Sequence, residues 1–286
     1  MLRIDDLVLG YGGEPVLDGV RLEVSAGSFV SLVGPSGSGK SSILRALTGL
    51  QTPLAGTTRI EADAADVGFL FQDDALLPWR TARHNVALGL RAGRGMPKRA
   101  ALAEADAWLA RMGLTGFEDR YPRELSGGQR KRVALAQVLA TRPKLLLMDE
   151  PFASLDAIVR HRITSDLLAW LEREDVTVLL VTHDLEEAVA LSDQVAVLSR
   201  GPRARIRETV DVPLPRPRDQ LAVRTHPAFA PLFTRLWAAL EAEVLDTPKA
   251  AELADAALTH AGDDTASRTQ PAGPPARHAP REAWRP

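Results

Sequence analysis

Apolar and polar positions along this chain change period several times. Residues 2–9, 20–24 and 29–33 read as short β-rich runs, the third a continuous apolar run ending at Gly34. A strand buried on both faces of a sheet looks like this, because neither face needs polar residues. Residues 38–50 then carry Ile43, Leu44 and Leu47 at helical spacing. A further strand over 67–71 stops at Gln72, and residues from about 82 to 141 read as mainly helical, with 100–112 the clearest case. Strands resume at 144–148, 176–181 and 194–198, each separated from the next by a helix. Such alternation predicts an α/β fold with a mainly parallel sheet covered on both sides. The block at 82–141 is then a helical insertion within that sheet.

The end of the chain has a different pattern. Residues 210–218 are rich in Pro and Arg, and 227–244 form one more predicted helix. From 261 to 286 there is no Ile, Leu, Val, Phe or Met, so burial has little to set against the entropy of ordering. The predicted organisation is therefore a main domain over 1–218, a helical extension over 219–246 and a disordered tail over 247–286.

Composition narrows the function. The 286 residues include 35 Lys plus Arg and 37 Asp plus Glu, which leaves no net field to steer nucleic acid. Cysteine is absent, which excludes disulfides, Cys-bound zinc and thiol nucleophiles. Asp5 and Asp6 stand where a signal peptide needs an apolar core, and no run reaches the roughly 18 apolar residues of a membrane span. A soluble intracellular protein is expected.

The first chemical motif is Gly34-Pro35-Ser36-Gly37-Ser38-Gly39-Lys40-Ser41, followed by Ser42. It lies between a predicted strand and a predicted helix, the context a phosphate cradle requires. Glycines let successive backbone N–H groups point inward, and the helix adds its positive end. Lys40 would supply a point charge to the β- and γ-phosphates, and the Ser41 hydroxyl a ligand for Mg²⁺. The second is the apolar strand ending in Asp149-Glu150. Strand C-termini in a parallel sheet face the ligand crevice, so Asp149 would hold Mg²⁺ and Glu150 would polarise the attacking water. A helix N-cap with an acidic first turn is the bland alternative. The third is Leu125-Ser126-Gly127-Gly128-Gln129, which stands before a helical run and repeats the cradle chemistry.

Taken in order, the Lys40 loop, Gln72, Ser126-Gly127-Gly128-Gln129, Asp149-Glu150 and His183 resemble the ABC (ATP-binding cassette) ATPases over residues 2–218. The resemblance implies a RecA-like P-loop NTPase core with N-terminal antiparallel strands and an inserted helical subdomain. It implies ATP and Mg²⁺ as ligands and a head-to-tail dimer with two ATPs sandwiched. Ser126 and Gly128 would then act on the nucleotide of the opposite copy. Tyr11 matches the aromatic that stacks on adenine, Gln72 the glutamine that senses Mg²⁺ and the attacking water, and His183 the histidine that contacts the γ-phosphate. Ser154-Leu155-Asp156 matches a loop that contacts the second subunit. Ala136-Gln137 departs from the Ala-Arg of many importer subunits, on a helix behind the phosphate site.

Phe71-Gln72-Asp73-Asp74-Ala75-Leu76-Leu77-Pro78-Trp79 resembles the nitrate/sulfonate/taurine importer branch. Leu76, Leu77 and Trp79 either form an apolar groove for a partner helix or pack between sheet and insertion. The branch implies partner permeases, a periplasmic binding protein acting indirectly, and a place on the cytoplasmic face of the bacterial inner membrane. The cargo would be nitrate, a sulfonate, taurine or a pyrimidine precursor. The alternative class is a soluble ABC ATPase acting on nucleic acid or ribosomes, but heptad arms, tandem cassettes and Cys zinc sites are not visible here. A GTPase or small-molecule kinase would not need the Leu125–Gln129 motif.

Overall fold

The computed structural model describes residues 1–153 and 155–245. Its main sheet has six strands: β3 (Phe29–Val33), β5 (Val67–Leu70), β6 (Leu145–Asp149), β7 (Thr177–Val181), β8 (Gln194–Leu198) and β9 (Ile206–Asp211). Their order is β5-β6-β7-β3-β8-β9, all parallel except the antiparallel edge strand β9. A second, antiparallel sheet joins β1 (Leu2–Tyr11), β2 (Glu14–Val24) and β4 (Ala55–Ile60) in the order β2-β1-β4.

The apolar runs pack as the two-residue period of a strand dictates. Leu146, Met148, Val178, Leu180, Val195 and Val197 join one hydrophobic cluster. Their neighbours Leu145, Leu147, Leu179, Val181, Ala196 and Leu198 join the other, with Leu2, Ile4, Leu17 and Leu44. Both faces are therefore covered, which is why β3, β6 and β7 are apolar throughout. Against the second face lies α1 (Lys40–Leu47). The first face is covered by α2 (Ala82–Arg94), α3 (Lys98–Arg111), α4 (Gly127–Leu139), α5 (Ala157–Glu174) and α6 (Leu185–Leu191).

Helices α2, α3 and α4 fall between β5 and β6, two strands that pair directly, with Leu70 opposite Met148. They are thus an insertion between neighbouring strands. A last helix, α7 (Phe229–Leu245), buries Phe229 and Leu236 in the first cluster. Three expectations need adjusting. β4 and β9 form where no strand was expected, and β2 begins at Glu14 rather than at residue 20. The expected disordered tail lies outside the described residues.

Candidate functional site

Register brings the chemical residues to one edge of the sheet. Leu32 of β3 pairs Val181 of β7, and Val181 pairs Asp149 of β6. Gly34 and His183 follow two residues past that level, and Glu150 one. β7 runs between the other two strands, so His183 emerges between the Lys40 loop and the acidic strand end.

The loop over 34–39 is shaped by close packing. A Cβ on Gly34 would stand 2.8 Å from the Leu198 carbonyl oxygen. Gly39, the N-cap of α1, has φ of 95° and would place a Cβ 2.8 Å from Leu17. Any side chain there would collide and be strained. The first backbone N–H groups of α1, from Lys40 onward, have no partner within the helix and carry its positive end. Lys40 folds back over the loop, its Nζ donating to the carbonyls of Gly34 at 2.8 Å and Pro35 at 2.9 Å. Burial lowers the Lys40 pKa, and nearby Glu150 and Asp149 oppose that shift. The result is a cleft of about 360 Å³ lined by Tyr11, Val16, Ser36, Gly37, Gly39, Lys40, Ser41, Ser42 and Glu150. Tyr11 is more than half exposed there, and its hydroxyl lies 3.1 Å from Ser42 Oγ.

Across from the loop, the Ser41 hydroxyl donates to Asp149 Oδ1 at 2.8 Å. Asp149 is buried, and burial raises its pKa. Two hard oxygens next to a phosphate cradle suit Mg²⁺, which takes few protein ligands and completes its octahedron with phosphate and water. Glu150 has a backbone φ of 43°, a left-handed conformation that costs about 1–2 kcal/mol outside glycine. Its N–H donates to the Val181 carbonyl at 2.9 Å, and its Oε2 lies 3.2 Å from His183 Nδ1. The carboxylate is therefore aimed into the cleft by a constrained backbone, as strained residues at reactive sites often are.

Gln72 lies in the exposed loop after β5, which flanks β6, and does not line the cleft. The Ser126 motif is separate from it. Ser126 caps α4: its Oγ accepts from the Gln129 N–H at 3.3 Å, while Gln129 Oε1 accepts from the Ser126 N–H at 2.8 Å. Ser126 and Gly127 are exposed, and none of Ser126, Gly127, Gly128 and Gln129 lines the Lys40 cleft. The tip packs instead beside the start of α5, where a Cβ on Gly128 would meet Val159 at 3.4 Å. Asp156 caps that helix, accepting from the Val159 N–H at 3.0 Å. Ser154 lies outside the described residues.

Two charged residues were missed by sequence reasoning. Lys131 is fully buried behind the loop that carries Gln72. Glu187 accepts a 2.5 Å hydrogen bond from the Thr182 hydroxyl, next to His183. Burial above all raises its pKa from 4.5 to about 7; Thr182 works against the shift, Asp184 adds to it, and Arg160 and His183 oppose it. An acid with a raised pKa favours the folded state while protonated. Stability should fall as pH rises from 4.5 through about 7, and the shift corresponds to roughly 3 kcal/mol. Glu187→Gln is expected to remove that part of the pH dependence in urea melts at pH 5 and 8. An unchanged slope would mean that Glu187 stays ionised throughout.

A strand, a glycine loop over a helix N-terminus and, one strand further along the sheet, a strand ending in acids together define a P-loop nucleoside triphosphatase. The ABC transporter family pattern matches residues 17–153. The uncharacterized ABC transporter ATP-binding protein MJ0412 of Methanocaldococcus jannaschii is 42% identical over 231 residues, 78% of this chain and 86% of that one. The aliphatic sulfonates import ATP-binding protein SsuB 2 of Rhodococcus jostii is 46% identical over 215 residues, covering 75% and 85%. The nitrate import ATP-binding protein NrtC of Synechocystis is 42% identical, over 74% of this chain but 33% of that longer one. Among solved structures, the dimeric post-hydrolysis state of the cassette MJ0796 bound to ADP and Pi matches with a TM-score of 0.67 and 32% identity, over 74% of this chain and 99% of that one. The chain belongs to the ABC transporter ATP-binding family and is an ATP hydrolase. Among the described residues no helix is long and apolar enough to cross a membrane.

Proposed function

We propose that this chain energises a solute importer by clamping ATP between two copies of itself. The observation that carries this reading is the split of the site. The cleft over Lys40 holds the cradle, Ser41 and Glu150, with Asp149 bonded to Ser41 behind it, while the Ser126 tip is exposed away from that cleft. A tip of that kind serves phosphate only if another molecule's nucleotide reaches it. Tyr11 would stack on the adenine, and the backbone over 34–42 with Lys40 would hold the phosphates. Ser126, Gly127, Gly128 and Gln129 of the second copy would close over the γ-phosphate, with Asp156 beside them at the dimer face.

Ser41 and Asp149 would hold Mg²⁺, approached by Gln72; the ion, when bound, offsets charge on the β- and γ-phosphates. Glu150 takes a proton from the attacking water, and His183 orients Glu150 and meets the γ-phosphate. Hydrolysis and release of phosphate would let the dimer reopen, moving a permease between states.

The permease would dock on the loop over 71–79. Asn85, fully buried, receives the Leu77 N–H and donates to the carbonyls of Leu77, Arg80 and Thr81. That clamp displays Trp79 at 71% exposure, which favours docking there, while Leu76 packs against the core and Leu77 is half-buried. The cytoplasmic face of a bacterial inner membrane is the setting, with a periplasmic binding protein acting indirectly. Relatives named for import of nitrate and aliphatic sulfonates and for transport of bicarbonate support a small anionic solute, with taurine and pyrimidine precursors as the other candidates.

Proteoliposomes holding the cognate permease and binding protein test this directly. ATP-dependent uptake of one of these solutes is expected, lost when this chain is omitted. ATPase activity indifferent to the permease but stimulated by RNA or DNA would overturn the reading.

A further inference from the structure

Arg130, Lys131 and Arg132 follow the Ser126 tip on α4, and such a run normally faces water. Lys131 does not. Its side chain is 1% exposed, and its ammonium donates to two carbonyls of one loop, Phe71 at 3.3 Å and Gln72 at 3.1 Å, and forms an ion pair with Asp74 Oδ1 of that loop at 3.7 Å. Arg130 reaches the same loop, its Nε donating to Asp74 Oδ2 at 3.2 Å while its Nη1 holds the Leu125 carbonyl at 2.8 Å.

A lysine ammonium offers three donors, and a buried one is tolerated only when they are used. Burial pushes the Lys131 pKa down, and the Asp74 charge opposes that shift. Lysine is also long enough to reach from a helix to the backbone of a neighbouring loop. Here it grips the backbone of Gln72 itself, on a loop beside the strand that ends in Asp149 and Glu150. The gripping helix is the one capped by Ser126.

We infer that Lys131, fixed by Asp74, is a positioning residue that couples the two ATP sites of the dimer. This rests on the sandwich reading above. In that reading Gln72 attends the nucleotide of its own chain, and the Ser126 tip attends the nucleotide of the other. The Lys131 bridge makes loop and tip move as one body, so arrival of Gln72 at one γ-phosphate orients the tip toward the second. Coupling of this kind typically changes an equilibrium 5–150-fold.

The test is ATP-driven dimerisation of the full chain carrying Glu150→Gln, with and without Lys131→Met. Met keeps the apolar stem and removes the three donors. ATP binding to the monomer, read by a fluorescent ATP analogue at low protein concentration, should stay within about twofold, because the Lys40 cleft is untouched. The protein concentration at half dimerisation should rise 5–150-fold. Asp74→Asn, on the loop and outside the core, should do the same more weakly, and the double variant should add little to Lys131→Met. It also serves should Lys131→Met fail to fold. Equal dimerisation with and without the bridge, or strict additivity of the two changes, overturns the coupling. Absence of any ATP-dependent dimer in the Glu150→Gln parent overturns the sandwich reading itself, and the coupling with it.

Discussion

Glu150→Gln is expected to lower ATP turnover by about 10²–10⁴-fold while leaving ATP binding intact. The amide keeps the size and shape of the carboxylate, and so the constrained φ of 43° and the backbone bond to Val181 should survive. What disappears is the acceptor for a proton of the attacking water, and the negative partner that sits 3.2 Å from His183 Nδ1. The Lys40 loop is not altered, so affinity for ATP should change by less than threefold. Phosphate release at saturating Mg-ATP, set against binding of a fluorescent ATP analogue, separates the two effects. Turnover within tenfold of the parent would remove Glu150 from the role of base.

Lys40→Ala should act at the opposite point, on binding. The buried ammonium is the cation that lines the cleft and also ties the Gly34 and Pro35 carbonyls together. Removing one member of a buried, hydrogen-bonded charge pair costs about 2–5 kcal/mol. At 1.4 kcal/mol per decade, ATP affinity should fall by about 30- to 4,000-fold, and hydrolysis with it. Titration with the same analogue reads this out, and binding weakened less than threefold would mean that phosphate sits elsewhere. The two variants make a contrasting pair: one binds without turnover, the other scarcely binds.

The parts of this site that were legible in the sequence are those in which one residue type is physically required at a fixed spacing. Gly34 and Gly39 stand where a Cβ would collide, so the loop motif is tied to a strand on one side and a helix on the other. Asp149 and Glu150 were readable because the apolar strand they end shares a chain with the Lys40 loop; taken alone, two acids after a strand suit a helix N-cap as well. The strands β3, β6 and β7 were readable because both of their faces are buried. β4 and β9 were not, being edge strands with few buried residues and little apolar alternation. Lys131 was invisible for the converse reason: within Arg130-Lys131-Arg132, charge alone does not reveal which side chain turns inward.

Glu187 did carry a signal. Asp184 followed three residues later by a glutamate is a capping pattern, and Asp184 Oδ1 does accept from the Glu187 N–H at 3.1 Å. Its burial against Thr182 depends on tertiary packing that no local pattern encodes. The separation of the Ser126 tip from the Lys40 cleft is likewise a fact of three dimensions. In the sequence, two phosphate-binding loops are simply two loops, and only the resemblance suggested that they serve different nucleotides. Of the expected contact loop over 154–156, Asp156 is the cap of α5, a local role that does not bear on contact with a second subunit.

The most direct test is the mass of the Glu150→Gln chain in solution, measured with Mg-ATP, with Mg-ADP and without nucleotide. Two chains holding two ATP molecules are expected with Mg-ATP alone, and Ser126→Arg should return the protein to single chains that still bind ATP. A chain that saturates with ATP yet stays single, or pairs equally well without it, would contradict an ATP site completed by a second copy.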